Sequence, residues 1–235
     1  MGNLPIFVKI YCMELWLDNP EIEQQFKQLL KTITLYKSGE VADNLRQRGI
    51  DYHLNWGVSL MDLRRMAAEY TPSHLLALKL WNKQWRETMI LATLLDEPGM
   101  VTEQQMDFWA KSFTNSEIAE QASANLFWRT PWAYIKALEW CRGKKHWQRY
   151  TAIHLVGRLA MMDKKSPDEM FEAFFEELIP LSRDPQLSIV LERALIVMAH
   201  RSDGMRQMVS DLLSLLKATE SEAAFTLAQQ TEAGI

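Results

Sequence analysis

The chain has 235 residues, 48% hydrophobic and 24% charged, with a formal net charge of −4. That balance excludes wholesale disorder and allows a sizeable core. Nine glycines and eight prolines in a chain rich in Leu, Ala, Glu, Met, Gln and Lys predict an all-α protein with short connections.

The N-terminal stretch lacks a charged n-region followed by an apolar segment of signal length, and no 18-residue apolar run occurs. A cytoplasmic protein with no membrane contact is the expectation. Cys12 and Cys141, far apart and in no metal spacing, fit a reducing compartment without a disulfide framework. Asn19-Pro20-Glu21 opens an amphipathic helix carrying Ile22, Phe26, Leu29, Leu30 and Ile33. Ser59 is a candidate N-cap for Leu60 to Tyr70, and Thr71-Pro72-Ser73 restarts a helix that runs to Trp81. Arg86 to Leu95 forms a strongly apolar helix, stopped by Asp96-Glu97-Pro98-Gly99. Thr102 with Gln105 has the spacing of a capping box.

Downstream, Asn115 or Ser116 caps a helix through Phe127, and Thr130-Pro131 is expected to place proline at the first helical position. His146 to Met162 is long and amphipathic. Ser166-Pro167-Asp168-Glu169 again combines a cap, a proline and an acid, and helices follow near 186–200 and 204–216. The starts near Pro72, Thr102, Pro131 and Pro167 lie 29 to 36 residues apart, about one helix pair. That irregular spacing, without the tetratricopeptide signature, predicts an α-solenoid of HEAT-like antiparallel helix pairs; an irregular bundle is the alternative. Residues 1–217 read as one repeat domain and 218–235 as a polar, acidic tail that frays.

Between Trp128 and Arg149 this acidic chain turns basic and aromatic. The stretch holds six bases (Arg129, Lys136, Arg142, Lys144, Lys145 and Arg149), one acid, Glu139, and four of the nine tryptophans, while the rest of the chain carries 20 bases against 29 acids. Such an island can recruit an anionic partner through its local field. The plainer reading makes its tryptophans core residues and its bases helix-end charges. Five histidines fall in no His-x-x-x-His or His-x-Glu pattern, and no glycine-rich phosphate loop or nucleophile elbow occurs. No metal and no cofactor are expected.

From Asn55 to about Ala160 the chain resembles the HEAT-like DNA alkylation repair family of monofunctional DNA glycosylases. The matching residues are Trp56-Gly57-Val58-Ser59-Leu60-Met61-Asp62-Leu63-Arg64, Leu78-Lys79-Leu80-Trp81, Arg86-Glu87, Leu91-Ala92-Thr93-Leu94-Leu95-Asp96, Asn115-Ser116-Glu117-Ile118-Ala119-Glu120-Gln121, Asn125-Leu126-Phe127-Trp128-Arg129-Thr130-Pro131, Lys136-Ala137-Leu138-Glu139-Trp140 and Trp147-Gln148-Arg149. The resemblance implies removal of cationic N3- or N7-alkylated purines from duplex DNA. One carboxylate would stabilise the oxocarbenium character of the sugar and position water, aromatic residues would flank the deoxyribose, and an arginine would hold a phosphate.

Aligned on Asn115 and Gln121, the family's catalytic aspartate falls at Glu120, with Glu117 three residues earlier. The first tryptophan position falls at Ser116 and the third aromatic position at Val197. The phosphate-gripping arginine falls at Tyr150, with Arg149 adjacent. Arg129, Arg142, Lys144, Lys145 and Arg149 are the candidate phosphate contacts. The expected function is thus a DNA-associated protein of the alkylation repair type, cleaving N-glycosidic bonds through Glu120 if active. The alternative is a catalytically inactive helical-repeat module that binds nucleic acid or a protein partner on its concave face.

Overall fold

The computed structural model describes residues 19–235, so the expectations for Cys12 and the N-terminal stretch lie outside the described residues. Thirteen α-helices and three short 3-10 turns account for the described structure, and its only β-type pairing is an isolated bridge between Leu54 and Trp85. The fold class is all-α, built of HEAT-like helix pairs. Contacts group the chain into two compact units, one ending at Val101 and the other spanning Thr102–Ile235; one repeat domain over 1–217 was the expectation.

The first unit contains α1 (Pro20–Leu35), α2 (Gly39–Gln47), α3 (Leu60–Ala68), α4 (His74–Asn82) and α5 (Arg86–Leu95). Asn19, Ser38, Ser59 and Ser73 cap the first four through side-chain oxygens that accept first-turn N–H groups, each cap contributing about 1 kcal/mol. Helix α2 was not predicted: its apolar face is short, and Ala42 is its one buried side chain. Helices α4 and α5 run antiparallel, since Ser73 N–H donates to the Leu95 carbonyl at 2.8 Å and so joins the start of one to the end of the other.

A buried charge pair organises the 54–59 segment. Glu87 is fully buried, and its carboxylate accepts the N–H groups of Trp56 (3.1 and 3.2 Å) and Val58 (3.2 Å). Arg86, also buried, donates to Glu87 at 3.2 Å and to the Val58 carbonyl at 2.8 Å. These bonds satisfy groups that would be costly to bury unpaired. Gly57 sits at φ +71, where a Cβ would lie 1.9 Å from the Ser38 carbonyl oxygen. No other residue fits there. The motif from Trp56 to Arg64 is therefore a structural joint.

The second unit contains α6 (Glu103–Lys111), α7 (Ser116–Asn125), α8 (Ala133–Arg142), α9 (His146–Met162), α10 (Glu172–Leu181), α11 (Ser188–Ala199), α12 (Asp203–Lys217) and α13 (Glu222–Glu232). Helix α9 is its axis and packs on α6, α7, α8 and α11. A Cβ on Gly157 would come within 3.1 Å of the Ala194 Cα, so small residues let α9 and α11 approach closely.

Three expectations are corrected. Pro131 does not open a helix: Thr130 closes a 3-10 turn by bonding the Phe127 carbonyl, and α8 begins only at Ala133. Pro167 precedes a 3-10 turn, Asp168–Phe171, because the Ser166 hydroxyl donates to Asp163 at 2.6 Å instead of capping. The tail does not fray. Helix α13 buries Ala224, Leu227, Ala228 and Thr231 and packs on α11 and α12.

Candidate functional site

Two of the aligned family positions, Glu120 and Val197, line one groove of the second unit; Tyr150 is tied to it by a bond to Glu120, and Ser116 by a bond to Tyr150. An open cavity of about 180 Å³ is lined by Glu120 and Ala124 of α7, His154, Gly157 and Arg158 of α9, and Val190, Arg193 and Val197 of α11, among others. Asn115 starts α7 by accepting the Ile118 N–H at 3.2 Å, which sets the turn that presents Glu120. The carboxylate is held from both sides. Tyr150 donates its hydroxyl to Oε1 at 2.6 Å, and the Arg193 guanidinium lies 4.0 Å from the same oxygen.

Burial and the bond to Glu120 push the Tyr150 phenol far above the ordinary tyrosine range, opposed by Arg193 and by a hydrogen bond with Ser116. Tyr150 is therefore a neutral donor at physiological pH. Burial holds His154 below the ordinary histidine range, with Glu120 opposing and Arg158 and Arg193 reinforcing. Its Nδ1 is buried without a hydrogen-bond partner. A neutral imidazole, one carboxylate and two guanidiniums thus line the groove. His146, Trp147 and Tyr150 form an edge-to-face aromatic cluster, with Trp147 centred 4.7 Å from His146 and 5.6 Å from Tyr150.

The candidates divide sharply. Ser116, Glu120, Tyr150 and Val197 come together here. The basic island does not. Lys136 is fully buried, its ammonium 2.8 Å from Asp107 and 2.5 Å from Glu139. Arg142 donates to Glu177 at 2.6 Å, Arg149 to the Gly143 carbonyl at 2.7 Å, and Arg129 to the Asn125 carbonyl. Lys144 and Lys145 are exposed immediately before α9. Glu117 is buried, and neither it, Arg129 nor Arg149 lines the groove. Trp140 is core, donating its indole N–H to Asp107 at 2.8 Å. Cys141 is buried too, its thiol pushed up to about 12, which leaves it inert.

Sequence reasoning missed Arg193, His154 and Arg158. Helical spacing held the signal: His154 and Arg158 follow Tyr150 at steps of four, and Arg193 precedes Val197 by four. Among the described residues no cluster of three or more His, Cys, Asp or Glu could hold a metal ion, and no helix is long and apolar enough to cross a membrane.

The model of the DNA alkylation repair enzyme family matches residues 17–179. No curated protein matches the chain. A solved structure described as "a new family of proteins related to the HEAT-like repeat DNA glycosylases with affinity for branched DNA structures" superimposes with a TM-score of 0.71 at 12% identity, covering 89% of this chain and 94% of that one. At that identity the likeness concerns the fold.

Proposed function

Because this chain belongs to the DNA alkylation repair enzyme family, we propose that it is a DNA-binding protein whose alkylpurine excision chemistry is silent. One observation carries this reading: the Glu120 carboxylate is already engaged by Tyr150 at 2.6 Å and flanked by Arg193 at 4.0 Å. A carboxylate serves developing positive charge on the sugar best where no fixed cation stands beside it. Here a donor and a cation already draw on it. Two guanidiniums in the groove also repel a cationic base and suit a phosphate. Ser116 and Val197 supply no aromatic surface against deoxyribose. Exposed Lys144 and Lys145 stand just before α9 as two further cations open to an anionic ligand, and the relative's affinity for branched DNA favours the same ligand class.

Labelled duplex and branched DNA titrated with the protein should bind with an affinity that falls steeply between about 50 and 200 mM salt, as counterion release requires. Arg193→Glu and Lys144→Glu should each weaken binding and flatten the salt slope by about one charge. Absent or salt-insensitive binding would sink the proposal. A second reading rests on Glu120 remaining a carboxylate at the aligned position: residual excision of methylated purine. Release by the wild type under single-turnover excess, lost in Glu120→Gln, would establish that enzyme.

A further inference from the structure

The groove offers more than a phosphate contact uses. Its cavity of about 180 Å³ has Ala124, Gly157, Val190, Ala194 and Val197 in its lining, an apolar surface against which a planar ring can rest. Its single carboxylate is poised but not saturated. An ionised carboxylate has about four acceptor positions. Tyr150 takes one on Oε1, and Oε2 has no hydrogen-bond partner among the described residues. Glu120 is also kept in place, because the phenol holding it remains protonated.

Among the nucleobases, guanine presents two neighbouring donors, N1–H and N2–H, on one edge. Adenine and cytosine present a single amino group there, and the thymine N3–H lies between carbonyls that a carboxylate repels. Inside a duplex the guanine donors are occupied by cytosine, so only an unpaired guanine can offer them. Resting on the DNA-binding reading above, we propose that this groove takes one unpaired guanine from distorted or branched DNA, with Glu120 accepting from N1–H and N2–H and Arg193 meeting the adjoining phosphate. Charge complementarity selects this occupant: a neutral donor edge faces the carboxylate, and an anionic backbone faces the exposed guanidinium.

The test is fluorescence anisotropy at one fixed salt concentration with duplexes that differ in a single bulged base. Bulged guanine should bind on the order of tenfold more tightly than bulged thymine, in the range a bidentate contact gives. In Glu120→Gln that ratio should fall toward one. Val197→Trp, which fills the cavity, should likewise bring bulged guanine down to the affinity of bulged thymine. Salt-dependent binding with four equal bulges would overturn the guanine pocket and leave the DNA-binding reading standing. An unchanged ratio in both variants would also overturn it, and absence of salt-dependent DNA binding would overturn both.

Discussion

Tyr150 donates to Glu120 at 2.6 Å across 30 residues of sequence, joining the first turns of α9 to the middle of α7. The bond links protonation to structure. Burial comes first among the causes that raise the phenol, but the carboxylate also contributes. In a spectrophotometric alkaline titration, one tyrosine should resist ionisation well beyond the others. Glu120→Gln should bring that tyrosine down toward the ordinary range, because a neutral amide no longer penalises the tyrosinate.

Glu87→Ala should destabilise the protein by about 3–5 kcal/mol, the cost of leaving a buried charge uncompensated. The change removes an ion partner from buried Arg86 and orphans the N–H groups of Trp56 and Val58. Denaturant unfolding followed by circular dichroism measures it. A loss below about 1 kcal/mol would contradict the joint described above.

Gly57→Ala should cost about 2–4 kcal/mol, combining left-handed backbone strain with a steric clash. The clash is with backbone, the Ser38 carbonyl oxygen 1.9 Å from the new Cβ, so side-chain rotation cannot relieve it. Gly49, also at positive φ, has nothing within 4 Å of such a Cβ. Gly49→Ala should therefore cost less in the same unfolding assay.

Two pairs set pH dependence in opposite directions. The hydrogen bond that the His74 ring donates to Asp96 raises its pKa above 6.5, outweighing burial. Its contribution is fully present below the unfolded value and is lost as pH rises through the higher folded value. Bonds from Ser166, Lys165 and Tyr134 outweigh burial and lower Asp163 to about 2, so its contribution is present above 3.8 and disappears as pH falls through about 2. Urea midpoints measured across pH should lose the alkaline decline in His74→Gln and part of the acid decline in Asp163→Asn.

Helices with punctuation at both ends could be read from the sequence. Arg86–Leu95 and His146–Met162 begin and end where the pattern places them. The two prolines misled because their neighbours bond elsewhere: Thr130 to Phe127 and Ser166 to Asp163. Polar composition hid α13, whose buried stripe, Ala224, Leu227, Ala228 and Thr231, is mostly small residues that score weakly as core. At the site, the aligned positions Glu120 and Val197 share the groove lining, and Tyr150 bonds to Glu120. Counting charge along the chain did not find the groove's bases. Acids from distant helices, Asp107 and Glu177, claim Lys136 and Arg142, and no linear window contains both partners.

The demand for glycine at position 57 is local. It comes from a carbonyl in the first unit, whereas Glu120 and the groove belong to the second. A substitution at Glu120 therefore leaves the contacts that demand Gly57 untouched, and a substitution at Gly57 strains a backbone that takes no part in lining the groove.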